Sequence, residues 1–341
     1  MKMNKHILPA VCLLLGACLL GSCAKSDTGN TNETAARYLK AWMDIHYPSA
    51  VEKDGVFVVE DTPGTGSLWD ESLETTFATY TVRELDGTVS ANTDEDWARQ
   101  LGTWDQTYYY GQQVLVTGDG LSYAGVDAIL KGMRVGGTRT AIVPSWMMTV
   151  ERYDDVEEYK NHETSSSTSS AIYTIKLLGQ TDNLVDYEFQ MLSDYARKTW
   201  NVTDTLSSGP IFFKSFTQFD EEPEDMPTDT TVYINYTGRR ISDGQVFDTT
   251  IADTAKFYHI YNPSKTYEPV SITWSSEVSE LKMDGSSNLI DGFKYGLYAM
   301  HPEEKASFAF GFSLGYGTKS SGSLIPSYAA LRFDIEMVPK P

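Results

Sequence analysis

Phe247-Asp248 is the pair in this 341-residue chain whose types could do chemistry: an aromatic ring followed at once by a carboxylate. Taken alone, the pair has two readings. Either Phe247 is core and Asp248 caps a turn, or both face a ligand. The common reactive constellations are missing around it. His46, His162, His259 and His301 have no metal-ligand spacing, so no metal is expected. There is no glycine-rich phosphate loop and no nucleophile elbow. Cys12, Cys18 and Cys23 all lie near the N-terminus, which leaves no thiol nucleophile and no disulfide for the body of the chain. Glu303-Glu304 is an adjacent acid pair, but beside Pro302 it reads as a solvated turn rather than an acid/base couple. No cofactor is expected.

The elements that must position the pair can be read around it. Val232-Tyr-Ile-Asn-Tyr-Thr237 alternates as a strand, with Val232, Ile234 and Tyr236 on one face. Gly238 interrupts it, as glycine does at a bulge or a close backbone approach. Asp243-Gly244 is a turn pair, and the chain returns through Phe247-Asp248. Further on stand Leu289-Ile-Asp-Gly-Phe-Lys-Tyr-Gly-Leu-Tyr-Ala-Met300, Phe308-Ala-Phe-Gly-Phe-Ser-Leu-Gly-Tyr-Gly317, Leu324-Ile-Pro326 and Ala330-Leu-Arg-Phe-Asp-Ile-Glu-Met337.

Several dispersed motifs in one order carry more than any single one. Tyr-Thr-Gly, Asp-Gly, Phe-Asp, Leu-Ile-x-Gly-aromatic, Gly-Leu-x-x-Met, Tyr-Gly, Ile-Pro and Leu-x-Phe-Asp-Ile-Glu together resemble the FKBP-type peptidyl-prolyl isomerases, over roughly residues 229–338. The resemblance implies an α+β fold, a twisted antiparallel sheet wrapped around one short helix, and an enzyme that acts on Xaa-Pro segments of unfolded or exported proteins. It also implies binding of FK506-like macrolides. The implied bowl is Tyr236, Phe247, Leu289, Ile290, Phe293, Tyr316 and Phe333, with Phe293 as its floor and Leu324 beside it. The implied polar roles are three. The Ile325 backbone N–H holds one substrate carbonyl, and the Tyr316 hydroxyl holds the carbonyl on the other side of proline. Asp248 orients the Tyr236 hydroxyl or stabilises the twisted carbonyl carbon. The chain departs from the family in having Phe293 where a tryptophan is usual, Phe310-Gly-Phe312 where Ile-Pro-Pro is usual, and a long insertion over 249–288. That insertion carries Phe257, Tyr258, Tyr261, Tyr267 and Trp274, any of which could close the pocket wall.

Such residues suit that chemistry. Rotating a prolyl peptide bond costs amide resonance, a barrier of roughly 18–20 kcal/mol. No covalent bond forms and no proton need leave, so a dry, apolar site that favours the twisted amide is sufficient.

At the other end, Met1–Ser22 reads as a targeting segment: Lys2 and Lys5 precede an apolar run, Ile7–Leu20, too short to span a membrane comfortably. Leu20-Gly21-Ser22-Cys23 resembles a bacterial lipobox, so Cys23 is the expected lipidation site. The alternative is a secretory signal with a coincidental cysteine. Ala24 in place of aspartate implies the outer membrane of a bacterial envelope, on either face. The net charge is −20, and without the two lysines of the leader it is −22. That balance argues against nucleic acid and against an electrostatic membrane anchor. Asp220-Glu-Glu-Pro-Glu-Asp225 reads as a solvated linker, with a calcium site as the alternative.

Residues 23–32 read as a flexible tether, and Glu33–Tyr47 as an amphipathic helix presenting Tyr38, Leu39, Trp42, Met43 and His46, either to its own domain or to a second copy. An internal repeat follows. Ala78-Thr-Tyr-Thr-Val-Arg83 matches Ile234-Asn-Tyr-Thr-Gly-Arg239, Gly125–Met133 matches Gly292–Met300, and Ala171–Leu177 is set beside Ala330–Glu336. The expected domains are 33–180, a degenerate FKBP-like copy, and 184–341, the isomerase. The first copy has Ser90-Ala91 at Phe247-Asp248 and Thr149 at Tyr316. It is expected to keep the sheet and helix but lack the pocket, and Asp154–Ser170 reads as a mobile loop. Besides an envelope-anchored isomerase, two readings stay open: a non-catalytic chaperone or binding lipoprotein, and an adhesin-like lipoprotein.

Overall fold

The computed structural model describes residues 31–118, 121–153, 155–162 and 169–341. The leader, Cys23 and the tether up to residue 30 lie outside the described residues.

The chain builds two antiparallel sheets in succession. The first half runs α1 (Thr31–His46), β1 (Glu52–Lys53), β2 (Val56–Thr62), β3 (Thr75–Glu84), β4 (Val89–Asn92), α2 (Glu95–Leu101), β5 (Gln113–Val116), α3 (Ala124–Leu130), β6 (Thr138–Val143), α4 (Val156–Asn161) and β7 (Ala171–Thr181). The second half runs α5 (Leu184–Trp200), β8 (Ile211–Ser215), β9 (Thr231–Arg240), β10 (Val246–Thr249), α6 (Ala252–Phe257), β11 (Val270–Thr273), β12 (Lys282–Met283), α7 (Asp291–Tyr298), β13 (Lys305–Phe310) and β14 (Leu331–Val338).

The two sheets share one topology. Strand order is β1-β2-β6-β7-β3 with β4 and β5 both on β3, and β8-β13-β14-β9 with β10 and β11 both on β9. In each half a helix precedes the first matched strand and a second helix, α3 or α7, packs under the sheet. Even the irregularity repeats: the β3–β4 ladder is bulged at Val82, opposite Ala91, as the β9–β10 ladder is at Gly238, opposite Asp248. The second core gathers Ile234, Tyr236, Phe293, Leu297, Phe308, Phe310, Leu331, Phe333 and Ile335. These are the inward members of period-2 strands and of one helix face.

The register corrects one alignment. Tyr80 pairs with Ile175 and Tyr236 with Ile335, so Ala171 corresponds to Leu331, one residue on from Ala330. A one-residue slip exchanges the two faces of a strand. With the slip removed, Tyr173 takes the place of Phe333 on the pocket side.

Three local expectations also change. Helix α1 begins at Thr31, and Asn32, placed in the tether, is buried and donates Nδ2 to the carbonyls of Tyr159 and His162. Its packed face is Ala36, Leu39 and Met43, while Tyr38 is exposed. Part of the expected loop is helix α4, capped by Asp155, with Tyr159 buried against Trp146 and Tyr153. Helix α1 packs on α4 within its own half. At Glu303-Glu304 the chain turns as expected, but the solvated reading is corrected for Glu304, which is buried with its carboxylate accepting from the His301 N–H at 2.8 Å; only Glu303 is exposed.

Candidate active site

A cavity of about 740 Å³ opens between β9, β10, β14 and α7, walled by Tyr236, Phe247, Asp248, Leu289, Ile290, Phe293, Tyr316, Leu324, Ile325 and Phe333. Every residue named from the motifs therefore meets in one place. Its floor is a set of edge-on aromatic contacts: Phe293 to Phe333 at 5.0 Å, Phe247 to Phe333 at 5.7 Å and Tyr236 to Phe293 at 6.0 Å between ring centroids. That is the separation and tilt aromatic quadrupoles favour. Gly238 makes the arrangement possible. A Cβ there would stand 2.6 Å from the Phe247 ring and 2.9 Å from that of Phe333.

The polar groups sit at the rim. The Tyr236 hydroxyl donates to Asp248 Oδ2 at 2.6 Å, and the Thr249 N–H donates to Oδ1 at 2.9 Å. Burial, then the neighbouring Asp248 charge, push the Tyr236 phenol well above its ordinary value. Burial and Asp248 raise Tyr316 as well. Both hydroxyls thus stay protonated around neutrality and act as donors. Among the described residues, the Ile290 backbone N–H has no acceptor in the chain, while the Ile325 N–H faces the Ser321 carbonyl across an isolated antiparallel bridge. Two peptide donors, one without a partner among those residues and one in a short bridge, therefore belong to the walls of the cavity. The motifs assign Ile290 only a side-chain role.

Two contributors escaped the sequence reading. Lys265, from the insertion, pairs with Asp248. The insertion's aromatics do not wall the cavity; Met283 and Asn288 from the same segment do. Trp274 is instead buried, stacked on Tyr298, and Phe257 is exposed. The second contributor is Glu188 of α5. It is buried, and both its carboxylate oxygens accept from the Phe312 N–H, at 2.9 and 3.1 Å. The Phe312 carbonyl in turn receives the N–H groups of Gly315 and Gly317, at 2.9 Å each. Glu188 therefore anchors the turn that carries Tyr316.

Burial lifts the Glu188 carboxyl from 4.5 to about 7, partly offset by the Phe312 N–H. Between those values the folded chain holds a proton that the unfolded chain has released. The stabilisation is therefore complete below about pH 4.5 and is lost as pH rises through about 7. The gap corresponds to about 3 kcal/mol. Thermal melts from pH 5 to 8 should show stability falling with pH in the native chain and a flatter profile in Glu188→Gln, whose amide oxygen still accepts from Phe312. Equal slopes would mean that Glu188 does not titrate in this range.

The first half holds a corresponding cavity, also about 740 Å³, among Tyr80, Ala91, Tyr123, Val126, Val150 and Tyr173. The expectation that this copy lacks the pocket is therefore corrected. Losing the aromatic and the carboxylate at Ser90-Ala91 leaves the space open rather than filling it.

The family described as FKBP-type peptidyl-prolyl cis-trans isomerase matches residues 222–338. FK506-binding protein 2 of Candida glabrata is 28% identical over 107 residues, 31% of this chain and 62% of that protein, so the chain spans under two thirds of that curated relative. Among solved structures, the three FKBP domains of wheat FKBP73 align at 16% identity, covering 84% of this chain and 94% of theirs, with a TM-score of 0.29. FkpA from Escherichia coli aligns at 21% identity over 46% of this chain and 58% of its own, with a TM-score of 0.31. A peptidyl-prolyl cis-trans isomerase from Pseudomonas syringae pv. tomato aligns at 18% identity over 47% of this chain and 97% of its own, with a TM-score of 0.30. Over residues 222–338, about a third of its length, this chain is similar to the FKBP-type peptidyl-prolyl cis-trans isomerases.

Proposed function

We propose that the second half, 184–341, catalyses cis/trans isomerisation of Xaa-Pro bonds in exported proteins, and that the first half, 33–180, is a non-catalytic copy of the same fold. One observation carries this reading: the ten motif residues, dispersed over almost a hundred positions, line a single cavity. The proline ring enters the aromatic bowl. The Tyr316 hydroxyl and the Ile325 N–H take the flanking carbonyls, and Asp248 holds the Tyr236 hydroxyl. Desolvation of the amide in the bowl favours its twisted, less polar form. A barrier lowered by about 7 kcal/mol gives roughly 10⁵ in rate. Acceleration of the cis/trans interconversion of an Xaa-Pro tetrapeptide by the purified protein tests the reading. Loss of that acceleration in Asp248→Ala and Phe247→Ala would locate it in this cavity. FK506-like macrolides are the expected competitors.

The second reading, a chaperone or binding lipoprotein without catalysis, draws on the first half's cavity, which keeps its volume and apolar walls without the carboxylate. In either case the chain is held to a bacterial envelope membrane, the outer one, by lipid on Cys23. Among the described residues no helix is long and apolar enough to cross a membrane. Cys23→Ser should move the protein from the membrane fraction to the soluble one. A variant that still pellets with membranes after a high-salt wash would argue for another anchor.

A further inference from the structure

We propose that Arg240 is a positioning residue through which the first half of the chain fixes the lip of the second half's pocket. The proposal rests on the isomerase reading above for its effect on catalysis, and on geometry alone for the clamp. Arg240 follows Tyr236 and Gly238 at period two, so it points to the inner face of β9, at the pocket end of the strand. Its side chain is 1% exposed. A buried guanidinium is costly unless its donors are satisfied, and four hydrogen bonds show where this one's are spent. Nε and Nη2 form a fork on Asp243, at 3.0 and 2.6 Å. Nη1 donates to two backbone carbonyls, Leu324 at 2.7 Å in the pocket wall and Thr107 at 3.1 Å in the first half. The ring of Tyr109, also in the first half, lies 5.5 Å from the guanidinium. The Tyr109 hydroxyl bonds with Ser242, in the turn after β9.

The Leu324 carbonyl matters because of what shares its peptide unit. That carbonyl and the Ile325 N–H are the two ends of one planar trans group and point in opposite directions. Holding the oxygen fixes the direction of the N–H. A cationic donor on the oxygen also polarises the amide, which makes the N–H a stronger donor. This is the N–H assigned to a substrate carbonyl, and in the free chain it faces the Ser321 carbonyl across an isolated bridge that a substrate would have to replace. The short segment around it is closed by the Ser321–Ile325 bridge, with the Ser321 N–H donating to the Ile325 carbonyl at 2.9 Å, and by the Tyr328 N–H on the Gly317 carbonyl at 3.1 Å. Arg240 thus joins the segment 105–110 to the peptide that addresses the substrate. A further contact between the halves, Phe77 against Tyr187 at 4.4 Å with Gln112 Nε2 at 3.4 Å from the Tyr187 hydroxyl, keeps the two sides in register.

The test uses the intact chain with Tyr109→Leu, Arg240→Met and Arg240→Lys, and two readouts. Hydrogen exchange at the Ser321 amide reports the lip directly; it should quicken about tenfold in Arg240→Met and several-fold in Tyr109→Leu, with exchange in the core of β14 unchanged. On an Xaa-Pro tetrapeptide, kcat/KM should fall about tenfold in Arg240→Met, and measurably in Tyr109→Leu, a residue outside the pocket wall. Arg240→Lys keeps the charge but not the fork, and should recover only part of the loss. Unchanged Ser321 exchange in Tyr109→Leu and in a folded Arg240→Met overturns the clamp. Quickened exchange in a protein whose native form is not an isomerase upholds the clamp and removes the catalytic reading instead.

Discussion

Phe247→Ala should remove at least about 99% of the proposed isomerase activity, while Tyr316→Phe, in the same assay, costs less than about tenfold. The difference follows from what each side chain supplies. Phe247 is 9% exposed and stands edge-on to Phe333 over Gly238, so it forms a wall that keeps the twisting amide out of water. Truncating a buried aromatic costs about 3–5 kcal/mol, part of it felt as stability and part as an opened site. A hundredfold loss in kcat/KM needs about 2.7 kcal/mol of that. Tyr316 is 40% exposed and contributes one hydrogen bond, worth about 0.5–1.5 kcal/mol net. Both variants belong in one tetrapeptide assay, at a temperature where Phe247→Ala is verified as folded. Wild-type activity in folded Phe247→Ala would place the chemistry outside this cavity.

The largest stability effect is expected from Gly296→Val. Helix α7 lies so close to β13 that a Cβ at this position would stand 2.3 Å from the Phe308 ring, and Phe308 is fully buried. The ring has nowhere to go: its neighbours Phe293, Phe310 and Phe333 occupy the surrounding volume. The helix must lift instead, and it carries Phe293, the floor of the cavity. Overpacking commonly costs about 1–3 kcal/mol. Here a β-branched side chain meets a ring at sub-contact distance, so the cost should be about 3 kcal/mol or more. Urea unfolding should show a lower midpoint for the second half. An unchanged midpoint would mean that α7 is less tightly seated than these distances state.

How much of this was legible beforehand depends on the range of the interaction. Strand β9, the turn at Asp243-Gly244 and the face of α7 follow from local periodicity. The motif order then named ten residues that the fold brings to one cavity. Lys265 was not legible, because its contact with Asp248 is made by an insertion whose path no local pattern specifies. Arg240 and Glu188 were hidden for a different reason. A charged residue is ordinarily assigned to the surface, and only the folded contacts, Leu324 and Thr107 for one and Phe312 for the other, explain their burial. The misplaced register at Ala171 came from matching one alanine to another. Alternating strands offer two registers, and pairing across the sheet, rather than residue identity, chooses between them. The first-half cavity was missed because the loss of Phe247 and Asp248 equivalents was read as loss of the pocket, although small residues leave space rather than fill it.

The most direct measurement of the central claim is exchange spectroscopy on an Xaa-Pro peptide with the intact protein at a small fraction of the peptide concentration. Free prolyl bonds interconvert over tens to hundreds of seconds, so exchange peaks between the cis and trans forms are absent without a catalyst. An isomerase built on this cavity should produce them, with a rate proportional to protein concentration and abolished in Asp248→Ala. Peptide signals that shift or broaden on binding, with no exchange between the two isomers at any protein concentration, would contradict catalysis and leave the chain a binding protein.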